Sequence, residues 1–331
     1  MAVSLELLRQ LQSGSAADSW KAIFSYAWEI CSKPLSVDSV QQEVSNRDSQ
    51  LADVDLFLAT AGWDLWESYE ASVEPTSDAL ANWWSETSGG KAILILDALS
   101  LREVPWIIKG AEERGYQVTA RPTGAELPAD TTQFAKALGF SQRSALGNNG
   151  AGNAHRFVGA STDCVDYHWT DCLNTVTSDP HILIWHQWPD SHLHEFATIG
   201  RGLRTLSEEA SKFLSNEEFW HFVDKLSTGR RLIITSDHGY AASGNFADTT
   251  DVGQKVFLKD NYSSGRWTRD ESESQRPWLP PITLTLVTKH GRNSYVVGRR
   301  KWKSPSGYPT LAHGGLSVLE IASPFIEISR S

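Results

Sequence analysis

Of 331 residues only three are cysteine and one is methionine. Cys31, Cys164 and Cys172 form no CxxC pair, and an odd count fits free thiols in a reducing compartment. Long apolar runs are also missing: none approaches the ~20 residues needed to span a bilayer. The opening MAVSLELLRQLQSG is amphipathic and mixed in charge, unlike a secretory leader. A cytoplasmic protein that does not enter a membrane is therefore expected. Positive charge is scarce as well, with 30 Lys and Arg against 40 Asp and Glu and a formal net charge of -10. That argues against wrapping around bulk nucleic acid or an anionic membrane. It leaves a phosphorylated substrate open, because bound metal ions reverse the sign of a cleft locally.

What is present is ordinary for a folded chain, at 40% hydrophobic and 21% charged residues, and the length suits one large domain or two smaller ones. The 14 tryptophans are numerous and read as packing anchors, each burying a large ring and keeping one donor for a partner. One basic group, Lys289, Arg292, Arg299, Arg300, Lys301 and Lys303, has no acid between its members. It reads either as a solvated strand pair or as a phosphate-steering surface.

Residues 1–90 carry apolar positions at helical spacing, as in DSWKAIFSYAWEICSK, with breakers at KPLSVDSV and SVEPTSDAL. After SETSGG the pattern changes. KAILILDAL, YQVTARP, HILIWHQW and RRLIITSDHG read as strands, separated by helical stretches such as REVPWIIKGAEERG and DTTQFAKALG. Alternation of this kind predicts an α/β fold with a largely parallel sheet flanked by helices. Residues 240–280 are polar and rich in Gly and Ser, and read as an insertion or lid. PPITLTLVTKHG and RNSYVVGRRKW predict an antiparallel hairpin, and HGGLSVLEIASPFIEI a turn, a short helix and a last strand. No internal repeat is evident.

In open α/β sheets ligands gather at the carboxyl ends of the strands. Asp97 ends the first strand, Asp190 and His194 follow the strand at 181–188, Asp237 and His238 end the strand at 232–235, and His313 lies in a Gly-rich turn. Three carboxylates and three imidazoles thus fall at one end of one sheet. Asp190 and His194 are four apart and share a face on a helical turn; His186 and His192 compete with His194. Singly, each is an unremarkable turn or packing residue, and the coincidence of placement is the signal.

The order D-x-x-x-H, then D-H, then H-G-G resembles the two-metal site of the alkaline phosphatase superfamily. ILILDALSLREVPWII, LIITSDHGY and AHGGLSVLEIASPFI resemble more narrowly its PglZ branch, met in bacterial phage-defence and signalling proteins, over roughly 91–331. The resemblance implies an alkaline-phosphatase-like catalytic domain at 91–331 behind a helical region at 1–90. It implies two divalent ions, Zn²⁺ or Mn²⁺, one held by Asp190, His194 and His313 and the other by Asp97, Asp237 and His238. It also implies a nucleophile in a Pro-x-x-Thr motif, which ELPADTTQF matches at Thr131, with Thr132 as its neighbour. Backbone N–H groups at the start of a helix over 131–139 are expected to hold phosphoryl oxygens. Asp130 departs from the pattern, since its charge repels a phosphate unless it caps that helix.

The activity implied is a metal-dependent phosphodiesterase acting on nucleotides or oligonucleotides, with other defence proteins as expected partners. The alternatives are a PglZ scaffold in a multi-protein complex, or a phosphomonoesterase or phosphomutase. Arg102, Arg121, Arg143 and Arg156 are the candidate cations for a further substrate charge. Tyr262 and Trp267 could stack on bases, with core or surface packing the better reading of both.

Overall fold

Short polar side chains start the first helices. The computed structural model describes residues 3–36, 39–197, 202–243, 249–262, 265–270, 281–303 and 310–330. Ser4 accepts from the Leu7 N–H ahead of α1 (Leu5–Ser13), and Ser15 and Asp18 form a capping box ahead of α2 (Ala16–Cys31). α3 (Val40–Thr60), α4 (Trp63–Ser72) and α5 (Thr76–Glu86) complete a helical N-terminal region. Its apolar face, with Trp20, Ile23, Leu51, Leu58 and Trp66, merges into one hydrophobic cluster with sheet residues Leu94 and Ile234.

The expected first strand is β1 (Gly90–Leu96), in which Ala92 to Leu96 are wholly buried, as a central strand covered on both faces must be. It is followed by α6 (Val104–Glu113), β2 (Gln117–Gly124), α7 (Thr131–Ala137), β3 (Ser161–Val165) and α8 (Trp169–Cys172). β4 (His181–His186), α9 (Asp190–Phe196), α10 (Leu203–Ser215), α11 (Glu217–Ser227) and β5 (Arg230–Thr235) come next. The last part holds β6 (Ala241–Ala242), α12 (Val252–Tyr262), β7 (Trp267–Arg269), β8 (Thr283–Thr288) and β9 (Gly291–Val296). β10 (Leu311–Ala312), α13 (Val318–Ile321) and β11 (Ala322–Ser329) close it. No described helix is long and apolar enough to cross a membrane.

The main sheet has the order β2-β11-β5-β1-β4-β3. β5, β1, β4 and β3 pair in parallel, whereas β11 is antiparallel to both β5 and β2. Every strand but β11 therefore points the same way, and the carboxyl ends of β1, β2, β4 and β5 share one edge. The antiparallel run of β11 matters for the site: the chain approaching its first residue arrives at that same edge, bringing the Gly-rich turn before it. The hairpin is present as β8 and β9, with β7 added to its other side.

Some expectations change. β3 carries little strand signal in the sequence, because STDCV is short and only two of its five residues are buried. The polar stretch at 240–280 contains β6, α12 and β7, while residues 244–248, 263–264 and 271–280 lie outside the described residues. Tyr262 is buried with Leu258 and Ile282, and Trp267 packs on the main core, so both side chains are used in packing. The basic group is neither a solvated pair nor a steering surface throughout: Arg299 is buried on Asp48 and Asp55, Lys289 pairs with Glu126 and Arg292 with Asp270.

Candidate metal centre

All the ligand-type side chains but His194, which lies within α9, stand shortly after a strand has ended. Asp97 follows β1, Asp237 and His238 follow β5, Asp190 opens α9 after β4, and His313 follows β10. Among the described residues, Asp97, Asp237 and His238 form one group whose ligand atoms all lie within 4.8 Å of one another, and Asp190, His194 and His313 form a second. The rings of His238 and His313 stack at 4.3 Å and 19°, which sets the two groups side by side. The Asp190 N–H also donates to the Asp97 carbonyl at 3.0 Å.

The tautomers follow from the partners. His238 Nδ1 lies 2.9 Å from the Gly239 carbonyl, and His313 Nδ1 lies 3.3 Å from the Ala129 carbonyl. A carbonyl only accepts, so in both rings Nδ1 carries the hydrogen and Nε2 keeps its lone pair. His238 Nε2 is buried without a hydrogen-bond partner among the described residues, 3.3 Å from Asp237 Oδ2. Asp190 Oδ1 is likewise unpartnered and faces His313 Nε2 at 3.7 Å, while Asp190 Oδ2 lies 3.4 Å from His194 Nε2. At His238 Nε2 with Asp237 Oδ2, and at His313 Nε2 with Asp190 Oδ1, lone pairs turn toward one another with no hydrogen between them, which is costly in a metal-free protein and is what a divalent cation relieves. The donor set of three carboxylates and three imidazoles, without thiolate, fits zinc or manganese.

Asp237 is fixed from behind. Its Oδ1 accepts from the Ala98 N–H at 2.9 Å, the His238 N–H at 3.0 Å and the Ser236 hydroxyl at 3.3 Å, leaving Oδ2 to face the site. Burial, reinforced by the charges of Asp237 and Asp190, pushes the Asp97 carboxyl well above its ordinary range. Burial also works upward on Asp190, but the His194 hydrogen bond and the charges of His313, His194 and His238 outweigh it and hold that carboxyl at about 2. His238 is raised, because Asp237 and Asp190 overcome the opposing effect of burial; His313 is lowered, by burial and then by His238.

Thr131 is the first residue of α7. Its hydroxyl lies 3.2 Å from Asp97 Oδ1 and 3.0 Å from Asp237 Oδ2, beside the first group. Thr132 is exposed and its N–H is taken by Asp130 Oδ1 at 2.8 Å. Asp130 is thus a helix cap, which takes the Thr132 N–H from the donors expected at the start of that helix, and the helix ends at Ala137 rather than at residue 139. His186 is a packing residue. Its Nε2 lies 2.8 Å from the Tyr167 carbonyl, its Nδ1 accepts from the Trp188 N–H, and burial lowers it to about 4. His192 packs its ring on Phe196 and Phe213.

Of the four candidate arginines, Arg143 alone approaches the first group. Its Nε lies 3.8 Å from Asp97 Oδ2, and its Nη1 is buried without a hydrogen-bond partner among the described residues. Arg102 is buried on Asp48, Arg121 pairs with Glu74, and Arg156 with Asp78.

No family model matches the chain, and no curated protein matches it in sequence. Among solved structures the chain is similar to the murine ectonucleotide pyrophosphatase/phosphodiesterase 5, in an inactive threonine-to-alanine form in complex with AMP. The identity is 11% and the TM-score 0.41, over 72% of this chain and 88% of that one.

Proposed function

We propose that this chain is a metal-dependent phosphodiesterase of the alkaline phosphatase superfamily, in its PglZ branch. It acts on nucleotide or oligonucleotide phosphodiesters in the cytoplasm, in bacterial phage defence or signalling and beside other proteins of that system. The observation that carries the reading is the Thr131 hydroxyl held between the carboxylates of Asp97 and Asp237.

Asp97, Asp237 and His238 would hold one cation, and Asp190, His194 and His313 the other. When bound, two divalent ions supply positive charge for the attacking and leaving oxygens of an in-line displacement. The protein's own residues do the rest. As metal ligands Asp97 and Asp237 would be carboxylates that only accept, so the Thr131 hydroxyl points its hydrogen at them and keeps a lone pair for phosphorus. Thr131 Oγ1 gives its proton to the Asp237 carboxylate, which passes it to solvent, and forms a bond to phosphorus as the bond to the leaving oxygen breaks; that oxygen takes a proton from water. A water then attacks phosphorus and the Thr131 Oγ1–P bond breaks, returning the hydroxyl.

A second reading, a phosphomonoesterase, has one observation in its favour. Arg143, whose Nε lies 3.8 Å from Asp97 Oδ2, keeps a buried Nη1 without a partner among the described residues, and the additional anionic oxygen of a monoester has a use for such a donor.

The test is hydrolysis of bis-p-nitrophenyl phosphate and p-nitrophenyl phosphate by the zinc- or manganese-loaded chain. Faster diester turnover that is lost on chelation supports the proposal, and preference for the monoester supports the second reading. Thr131→Ala is expected to lower turnover by roughly 10³-fold or more with an unchanged melting temperature. Full activity in that variant removes Thr131 as nucleophile.

A further inference from the structure

His313 is held differently from its companions. It follows the two-residue strand β10 and precedes two glycines, so little regular structure fixes it. What does fix this turn is a buried ion pair that no sequence pattern marks. Arg266 and Glu320 have side chains only 2% and 0% exposed. Glu320 Oε1 accepts from Arg266 Nε at 2.6 Å and from the Gly315 N–H at 2.8 Å. Its Oε2 accepts from Arg266 Nη2 at 3.1 Å and from the Ser317 hydroxyl at 2.6 Å. Arg266 is occupied on its outer side too, donating to the carbonyls of Arg300 and Gly298.

The turn lies directly on this pair. A Cβ at Gly315 would stand 2.8 Å from Arg266 Nε, and one at Gly314, whose φ is +95, would stand 2.5 Å from a ring carbon of Trp267. The same Glu320 reaches the other group through its main chain, where its carbonyl accepts from the Gly239 N–H at 2.9 Å, one residue after His238. One residue therefore touches both ligand-bearing turns, with its side chain behind His313 and its backbone behind His238.

Resting on the two-cation reading above, we infer that Arg266 and Glu320 are a positioning pair that sets the half-site of Asp190, His194 and His313. Replacing either side chain releases the His313 turn while the Glu320 carbonyl continues to hold Gly239. The consequence is asymmetric: one cation is weakened and its neighbour is retained. A pair serving only to stabilise the fold has no reason to produce that split.

The experiment is calorimetric titration of the chelated, full-length chain with Zn²⁺ and separately with Mn²⁺, with His313→Ala identifying which binding event belongs to that half-site. Glu320→Gln and Arg266→Lys are each expected to weaken that event at least about tenfold and the other by less than about threefold. If Glu320→Gln does not fold, Arg266→Lys, which keeps a cation in place, carries the comparison. Leu226→Ala, a core truncation in α11, serves as a destabilised control and is expected to keep both events. Unchanged binding in both variants overturns the inference, and so does equal weakening of both events in the variants and in the control. A wild-type chain that binds neither ion removes the two-cation reading itself, a result distinct from either.

Discussion

Asp97 carries a cost that the rest of the site must offset. Its carboxyl is buried beside Asp237 and Asp190, and its affinity for a proton is raised well above the ordinary 3.8. A group whose folded-state value is raised contributes stability fully present below the unfolded value and lost as pH rises through the folded one. The metal-free protein is therefore expected to lose melting temperature as pH climbs above about 4, and Asp97→Asn is expected to flatten that slope. Zinc or manganese should flatten it as well, because a cation takes over the proton's role. Fluorimetric melting curves with and without chelator check this; a chelated wild type and Asp97→Asn with the same slope would show that Asp97 is not the source. Arg143 belongs to the same scale. If its free N–H meets substrate oxygen, Arg143→Ala lowers monoester turnover more than diester turnover, and equal losses assign it to holding Asp97 alone.

The strand ends that carry Asp97, Asp190, Asp237 and His238 were readable because several apolar strands are followed by carboxylates or imidazoles at the same end of one sheet, although each alone is an ordinary turn residue. Thr131 was reached only through a family motif, since a threonine opening a helix is ordinary by itself. β3 escaped notice because half-buried STDCV lacks both alternation and an apolar run. The direction of β11 escaped too: an apolar strand reads the same whichever way it runs, and only pairing with β5 and β2 shows it antiparallel. Arg266 and Glu320, 54 residues apart, carry no local signal for their pairing. At Gly239 an element contact does leave a trace in the sequence. An added Cβ would meet the Leu319 carbonyl at 2.2 Å, so the turn after β5 can lie against α13 only with glycine there. Gly239→Ala is expected to cost about 2–3 kcal/mol in urea unfolding, and a neutral result would mean the turn has room to move.

Across the whole molecule, the N-terminal helices are bonded to the ground beneath the site. Asp48 on α3 pairs with Arg102 and Arg299, and Asp55 pairs with Arg299 and accepts from the Val318 N–H at the start of α13. Arg102 in turn donates to the Tyr240 carbonyl, two residues beyond His238. Asp48→Ala leaves two buried guanidinium groups short of a partner and is expected to destabilise the chain by about 3–5 kcal/mol. Denaturation followed by tryptophan fluorescence measures this, and a loss under about 1 kcal/mol would mean that water relieves the pair. The central claim, that six side chains distant in sequence form a paired cation site, is tested most directly by anomalous diffraction from crystals soaked in zinc or manganese. Two peaks are expected, one against Asp97, Asp237 and His238 and one against Asp190, His194 and His313. Peaks elsewhere on the surface, or none at all, would contradict it.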